Sequence, residues 1–373
     1  MEKIKLGELC RPSAGQIIED SDVLIDYIDI SSVDNETKRV TGYQTIAFGD
    51  APSRARKAVK RGSVLVSTVR PNLNAVAMLE DDTPNITVAS TGFCILDCKE
   101  NVNNRFIFNF CKSRAFIDDM VSQATGASYP AVSDKIVRSA LVPNYSYEEQ
   151  CQISEVLDRV SAVIDNRKAE LSALDDLIKA RFVELFGNPI TNDKGWEVAE
   201  LNTVCDGIGD GLHGTPEYDE DGEYPFINGN NLMDGVIKVT PATKMVNEDT
   251  YKKHFIELTD NAILLSINGT LGKLAFYNGE EVMLGKSACY CNLKPEINRE
   301  FVYGVMKTDA FAGFLESNAT ASTIKNVGLK AIRGFKLILP PEELQFQFIE
   351  FAKQVDKSKF EELQDKKYFL FCI

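Results

Sequence analysis

The most suggestive motif for small-molecule chemistry is a glycine-rich run, Gly207-Ile208-Gly209-Asp210-Gly211. Such runs cradle nucleotide phosphates when they follow a strand and open a helix. Here no convincing strand pattern precedes the run and no helical pattern follows it. The run is therefore weak evidence for a cofactor site.

The sequence also lacks the catalytic motifs of DNA-modifying enzymes. An amino-methyltransferase would carry an Asp/Asn-Pro-Pro-Tyr/Phe tetrapeptide, but the only Pro-Pro, Pro340-Pro341, follows Leu339 and precedes Glu342. A nuclease would need clustered carboxylates to hold Mg²⁺, and the one candidate, the acidic run 217–223, reads better as a solvated loop. We expect no catalytic residue in this chain, and a DNA methyltransferase with its own recognition domain is kept as an alternative.

The cysteine pattern argues against a metal site. Nine cysteines are present, and the closest groupings, Cys94 with Cys98 and Cys289 with Cys291, lack the spacing of zinc ligands. The only histidines are His213 and His254. We expect buried free thiols, no metal and no cofactor in this chain. The amino terminus lacks the apolar core of a signal peptide, and no apolar run approaches the roughly 18 residues of a membrane span, so a cytoplasmic protein without membrane contact is expected.

Charge is distributed unevenly along the chain. The net charge of −14 opposes phosphate binding overall, so binding to nucleic acid would depend on local patches of positive charge. Residues 51–79 contain no acidic side chain but several arginines and lysines, and 317–341 form a second acid-free stretch. Each patch alone could equally be a solvated face.

The elements that position these residues form an internal repeat at an offset of about 195 residues. Tyr27-Ile28-Asp29 matches Phe226-Ile227-Asn228, and Val64-Leu65-Val66-Ser67 matches Ile263-Leu264-Leu265-Ser266. Further matches keep the same order across nearly the whole chain. Each copy is expected to be a mixed domain followed by a helix. The predicted fold class is α+β, with two similar mixed α/β domains separated by long antiparallel coiled-coil helices.

The first helix has a heptad pattern. Leu157, Ile164, Leu171, Ile178 and Leu185 recur every seven residues, and Gly187-Asn188-Pro189 is a stop signal. A solitary amphipathic helix packed on a core is the alternative. The predicted boundaries are a domain at 1–145, a central helix at 146–190, a second domain at 191–340 and a C-terminal helix at 341–373. The last helix is shorter than the first, which is compatible with a rearranged or a truncated terminus.

Several motifs resemble one known family, the specificity subunits of type I restriction-modification systems. Residues 210–216 with 224–232 resemble the opening of a class of target-recognition domains, and 128–133 resemble the turn that closes such domains. Segments 182–189 and 340–343 resemble the ends of the conserved helices. The resemblance implies that each domain reads one half of a split double-stranded DNA target. It also implies that the helices set the spacer and dock two methyltransferase subunits, joined by restriction subunits, and that these partners hold S-adenosylmethionine, ATP and Mg²⁺.

DNA-contacting residues are predicted from side-chain chemistry, since Arg and Lys bind phosphates and Asn makes paired hydrogen bonds to adenine. The candidates in the first domain are Arg54, Arg56, Lys57, Lys60 and Arg70 for phosphates, with Asn72 and Asn74 for base edges. The candidates in the second domain are His213, Thr215, Asn230, Asn231, Asn268, Thr270, Lys273 and Lys286. A coiled-coil adaptor without nucleic-acid function is the remaining alternative, and it would leave two similar mixed domains without a role.

Overall fold

The computed structural model describes residues 2–12 and 16–371, with side chains described as far as residue 359. The chain divides into two compact units, Met1–Asn166 and Arg167–Ile373. The division falls inside the long helix, between Asn166 and Arg167.

Among the described residues of the first unit, nine strands form three sheets with the orders β1-β9, β3-β2-β7-β4 and β6-β5-β8. Strands β2 and β7 run parallel, whereas the other pairs are antiparallel. The strands are β1 (Lys3–Lys5), β2 (Leu24–Ile28), β3 (Gln44–Ala47), β4 (Ala55–Ala58), β5 (Val64–Ser67), β6 (Val76–Met78), β7 (Ile86–Ser90), β8 (Phe93–Leu96) and β9 (Leu141–Pro143). The helices are α1 (Leu6–Leu9), α2 (Asn104–Lys112), α3 (Arg114–Gln123), α4 (Asp134–Ser139) and α5 (Tyr147–Phe186), the last of which continues into the second unit.

The second unit repeats this plan with the sheets β10-β20, β11-β19-β16-β17, β15-β12-β18 and a small hairpin, β13-β14. Here β12 and β18 are the parallel pair. The strands are β10 (Glu197–Glu200), β11 (Cys205–Asp210), β12 (Tyr224–Ile227), β13 (Leu232–Met233), β14 (Val236–Ile237), β15 (Met245–Val246), β16 (Ala262–Ser266), β17 (Leu274–Phe276), β18 (Met283–Leu284), β19 (Ala288–Leu293) and β20 (Lys336–Leu339). The helices are α6 (Glu248–Lys253), α7 (Arg299–Met306), α8 (Asp309–Ser317), α9 (Leu329–Arg333) and α10 (Glu342–Phe371).

The repeat extends to the helix caps. Asn103 caps α2 by accepting from the Phe106 backbone N–H, and Asn298 caps α7 by accepting from that of Phe301, both at 3.1 Å. Ser113 and Thr308 cap α3 and α8 in the same way. Side-chain caps of this kind satisfy backbone donors that the helix leaves without partners. The two mixed domains predicted from the repeat are therefore confirmed.

Each unit has its own apolar core. Every residue of β5 and every residue of β16 is buried. Leu65 and Phe93 in the first unit and Leu265 and Phe301 in the second are at most 1% exposed. A strand buried on both faces reads as a continuous apolar run, which explains why 63–69 and 262–267 stand out in the sequence.

In the second unit, α10 packs against the end of α5. Phe348 lies 5.3 Å from Phe182 and 5.8 Å from Phe186, ring centroid to ring centroid. Further along α10, Lys359 Nζ lies 2.7 Å from Asp175 on α5. Because the contacts advance along α10 while they recede along α5, the two helices are antiparallel.

The heptad positions differ in burial along α5. Leu171, Leu174, Ile178 and Leu185 are half-buried. Leu157 and Ile164 keep 41% and 43% of their surface exposed. A coiled coil along the whole seam stays a prediction.

The glycine-rich run lies largely in β11 itself, and a loop follows it where a nucleotide-binding motif would open a helix. Glycine is required at the start of that loop, since a Cβ on Gly211 would lie 2.0 Å from the Leu284 carbonyl oxygen. Within the described residues, no helix is long and apolar enough to cross a bilayer.

Candidate nucleic-acid interface

In the first unit, loops from five parts of the chain meet at one end of the sheets. We call this the first rim, and it consists of 29–32, 54, 68–72, 90–92 and 128–131. Backbone hydrogen bonds join its loops: Thr68 N–H donates to Gly92 O, Thr91 N–H to Arg54 O, and Arg70 N–H to Pro130 O, at 2.7 to 2.8 Å. The rim is thus one continuous surface built from distant segments.

The second unit has an equivalent surface, the second rim, made of 212–215, 228–231, 267–273, 285–287 and 320–326. Ile267 N–H donates to Ser287 O, as Thr68 does to Gly92 O. Val327 N–H donates to Ile267 O at 2.9 Å, the distance that joins Val132 N–H to Thr68 O in the first rim. The repeat therefore places the same loop architecture at the same end of both units.

Arg54 is the most firmly held cation of the first rim. Its Nε donates to the Tyr27 hydroxyl at 3.1 Å, and its Nη2 donates to Asp29 Oδ2 at 2.5 Å. Asp29 is itself fixed, because its Oδ1 accepts from the Ile30 backbone N–H at 2.8 Å. The Tyr27 hydroxyl and the Asp29 carboxylate raise the pKa of Arg54. Just over half of the Arg54 side chain, 55%, remains exposed.

Arg70 forms a second exposed group on this rim. Its guanidinium lies over the Tyr129 ring, 4.6 Å from the centroid, and Tyr129 is 67% exposed. Arg70 adopts a positive φ of 48°, an uncommon conformation for a residue with a side chain. An exposed arginine stacked on an exposed aromatic ring offers both a charge and an apolar face to a ligand.

Two predicted contacts of the first domain are engaged inside it. Lys57 Nζ lies 2.7 Å from Asp134 Oδ2 and 2.6 Å from Phe93 O. Asn74 is buried, its Nδ2 donates to Cys111 O at 3.0 Å, and its Oδ1 lies 3.3 Å from Lys38 Nζ. A DNA contact by either side chain would require these internal bonds to break.

The other first-domain candidates are more accessible. Lys60 and Asn72 are exposed. Arg56 is half-buried, with its guanidinium 4.9 Å from the Phe48 ring centroid and Nη1 donating to Ala55 O at 2.7 Å. Asn72 lies two residues after Arg70 on the first rim, so its placement agrees best with the base-reading prediction.

The centre of the second rim is an amide and hydroxyl network. Ser287 Oγ donates to Asn228 Oδ1 at 2.9 Å and accepts from the Gly229 backbone N–H at 2.9 Å. Gly229 is required by this packing, since a Cβ there would lie 2.8 Å from the Ser266 Cβ. Asn228 occupies the position of Asp29 in the repeat, so the second rim carries a neutral amide where the first has a carboxylate that holds an arginine.

Asn231 supports the loop from within. Its Oδ1 accepts from the Asn228 N–H, and its Nδ2 donates to Lys238 O and Thr243 Oγ1, all at 3.0 Å. Asn230, its neighbour, is exposed. Of the two predicted base readers, Asn230 is therefore the accessible one.

The remaining second-domain candidates surround this network. His213 is exposed and its Nε2 lies 2.7 Å from Asp210 Oδ2. Asn268 is half-buried, and its Nδ2 donates to Asn326 Oδ1 at 3.2 Å. Thr215, Thr270 and Lys286 are exposed, and Lys273 is half-buried.

Sequence reasoning missed four residues that organise the rims. They are Asp29 and Tyr129 on the first rim and Asn228 and Ser287 on the second. Asp29 and Asn228 stand at matching positions of the repeat, which was a usable signal. Ser287 carries no local signal, because its role comes from contact with a loop about 58 residues away.

A large groove of the first unit, of about 680 Å³, lies apart from the rim contacts. Its walls include Lys38, Glu80, Arg105 and Asp158. Arg105 pairs with Glu80 at 2.9 Å and with Asp158 at 3.5 Å, and Lys38 bonds Asn74. Arg105 is thus already paired with two carboxylates, and Lys38 is engaged by Asn74 inside the unit.

Comparison with known proteins gives a consistent result. Residues 193–367 match the family described as "Type I restriction modification DNA specificity domain". The type I restriction enzyme MjaIX specificity subunit of Methanocaldococcus jannaschii is 23% identical over 236 residues, covering 58% of this chain and 53% of that protein. The HindI specificity subunit of Haemophilus influenzae is 24% identical over 140 residues, covering 37% of this chain and 30% of that protein. The matched region thus spans about half, or less, of these curated relatives.

A solved structure described as "Structural basis underlying complex assembly and conformational transition of the type I R-M system" shares the fold. It superimposes with a TM-score of 0.55 at 22% identity, covering 98% of this chain and 94% of that chain. The second unit thus matches a type I restriction-modification DNA specificity domain, and the first unit repeats its sheet plan. The chain is similar to specificity subunits of type I restriction-modification systems.

Proposed function

We propose that this chain is the DNA sequence-recognition subunit of a type I restriction-modification complex and has no catalytic activity of its own. Each unit reads one half of a bipartite double-stranded DNA target through its rim. The observation that carries the proposal is the repeated rim, in which matching hydrogen bonds hold exposed Arg, Asn, Thr and Lys side chains at the same end of both units. Those are the side chains that bind phosphates and base edges.

The proposal also covers the partners. The helices set the length of the spacer between the half-sites and dock two methyltransferase subunits, to which restriction subunits are added. Support comes from α5, where Val156, Leu157, Val163 and Ile164 are 41% to 60% exposed. Clustered apolar side chains on one surface favour a protein partner. S-adenosylmethionine, ATP and Mg²⁺ belong to those partners.

Selection from a randomised double-stranded DNA library with the full-length chain tests the recognition role. We expect two short conserved blocks separated by a gap of constant length. We also expect affinity to fall as salt rises, because phosphate contacts release counterions. A single block, or enrichment of no sequence, would contradict the proposal.

Two further measurements separate the alternatives. A methyltransferase with its own recognition domain would bind S-adenosylmethionine. Under our proposal the cofactor belongs to a partner, so calorimetric titration of the isolated chain should detect no binding. An adaptor without nucleic-acid function would leave the mobility of genomic fragments unchanged in electrophoresis, whereas a DNA reader retards them.

A further inference from the structure

Arg54 of the first rim is held by Tyr27 and Asp29, and this contact suggests a specific role within the proposed function, on which the inference rests. Asp29 directly follows strand β2 and precedes the short turn 30–32, whose first N–H donates to its side chain. Tyr27, two residues earlier and within β2, is 3% exposed. Both partners of Arg54 are thus anchored by the sheet, so the guanidinium they hold is fixed in direction.

The donors left over on Arg54 define what it can bind. A guanidinium carries five N–H donors in a planar fork, and here one on Nε and one on Nη2 are used. Within the described part of the chain, two donors on Nη1 and one on Nη2 remain without a partner, on a side chain that is about half exposed. Two parallel N–H groups of this kind match the O6 and N7 acceptors of guanine in the major groove.

A fixed direction matters for base reading more than for phosphate binding. A phosphate accepts a cation from many directions, so a mobile Lys or Arg serves it well. A base edge requires both hydrogen bonds to form in one plane. A guanidinium held by Tyr27 and Asp29 loses less freedom on binding, because its orientation is set beforehand.

The described residues of the second rim do not repeat this contact between an arginine and a carboxylate at the matching position. At the position of Asp29 it has Asn228, whose Oδ1 accepts from Ser287 rather than from an arginine. The two rims therefore differ in recognition chemistry at a matching place in the fold.

We propose that Arg54 reads a guanine in the half-site of the first unit and that Asp29, with Tyr27, is the residue that positions it. The sequence alone predicts that Arg54 binds phosphate. Because Tyr27 and Asp29 hold its guanidinium, we assign it to a base instead. The first half-site therefore contains a guanine at one position that the other three bases cannot replace without loss.

Library selection with the full chain and three variants tests this assignment. Arg54→Lys keeps the charge but loses the fork, so we expect discrimination for guanine at one position of one block to fall by about 10-fold to 100-fold. Asp29→Asn and Tyr27→Phe should weaken discrimination at that same position by a smaller factor. Arg61→Lys, a matched change at an exposed residue in the turn before β5, should leave both blocks unchanged.

The outcomes are separable. The second block should persist in every variant, which reports that the second unit still reads DNA and that the proposed function holds. The other positions of the first block should also persist, which reports that the first unit remains folded. An Arg54→Lys variant that loses affinity for all sequences alike, or that leaves the first block unchanged, overturns the guanine assignment. Normal discrimination in both Asp29→Asn and Tyr27→Phe, with Arg54→Lys defective, overturns the positioning role. No bipartite preference in the unsubstituted chain refutes the proposed function itself.

Discussion

Gln150 and Gln345 form the same local contact in the first turns of α5 and α10. Each side chain donates from Nε2 to the backbone carbonyl five residues earlier, Tyr145 O at 2.9 Å and Pro340 O at 2.8 Å. Gln150 is 3% exposed, and its Oε1 also accepts from the Asn103 backbone N–H at 2.9 Å. The repeat is thus preserved in the junction between domain and helix, but the first junction is tied more tightly.

This difference predicts unequal effects of the same substitution. Gln150→Ala should destabilise the first unit by about 1–3 kcal/mol, because two hydrogen bonds of about 0.5–1.5 kcal/mol each are lost and the half-buried Asn103 N–H loses its acceptor. Gln345→Ala should cost the second unit about 0.5–1.5 kcal/mol, the value of one ordinary hydrogen bond. Hydrogen exchange resolved by peptide can assign each loss to its unit. Equal losses in the two variants would contradict the stronger tie at Gln150.

The aromatic contact between α5 and α10 gives a second prediction. Phe348 is 2% exposed and packs against Phe182, whereas Phe346, two residues away on α10, is 50% exposed. Phe348→Ala should destabilise the second unit by about 3–5 kcal/mol through the cavity it leaves. Phe346→Ala should change stability by no more than about 0.5 kcal/mol, as exposed substitutions do. Thermal unfolding of both variants makes the comparison, and similar midpoints would show that the contact does not hold α10.

Lys57 and Lys60 should separate stability from DNA affinity. Lys57 is held by Asp134 and Phe93 O, whereas Lys60 is exposed. Lys57→Met should destabilise the first unit by about 1–3 kcal/mol, since Asp134 is left without its partner. Lys60→Ala should leave unfolding unchanged and weaken binding to all DNA sequences alike, with a smaller salt dependence. A Lys57→Met chain of normal stability with weak DNA binding would restore the phosphate role predicted from sequence.

Asn72 and Asn268 test base reading in the two rims separately. Asn72→Ala should relax one position of one half-site, and Asn268→Ala one position of the other, each by about 1–3 kcal/mol of discrimination. Sequence preference is measured by library selection, with each variant serving as the control for the other half. If neither substitution changes the preference, these asparagines do not read bases.

The length of α5 should set the spacer. Inserting four residues between Lys168 and Ala169 adds about 6 Å of helix, against about 3.4 Å for one step of DNA. The gap between the half-sites should grow by about one or two base pairs, while the half-sites themselves stay the same. Four residues are close to one helical turn, so local unwinding can absorb the change. Tight binding by the folded insertion variant at the original spacing would show that the helix is not the ruler.

The sequence by itself determined the repeat, the mixed domains and the long helix. Those features are local or periodic, because a buried strand, a capped helix and a heptad are each written in consecutive residues. Matching these patterns about 195 residues apart was enough to predict two similar domains. The accessibility of the site residues was a different matter. Asn74 and Asn72 are chemically identical and two residues apart, yet one is buried and the other exposed.

Only the tertiary structure decided which predicted contacts are available. Lys57 meets Asp134, Arg54 meets Asp29 and Gly229 meets Ser287 across 77, 25 and 58 residues of chain. The members of each pair are far apart in the chain, so local sequence does not show that they meet. A lysine in an internal ion pair therefore has the same local sequence signal as a lysine that is free to bind phosphate. The distinction depends on which loops the sheets bring together, and that is a property of the folded chain.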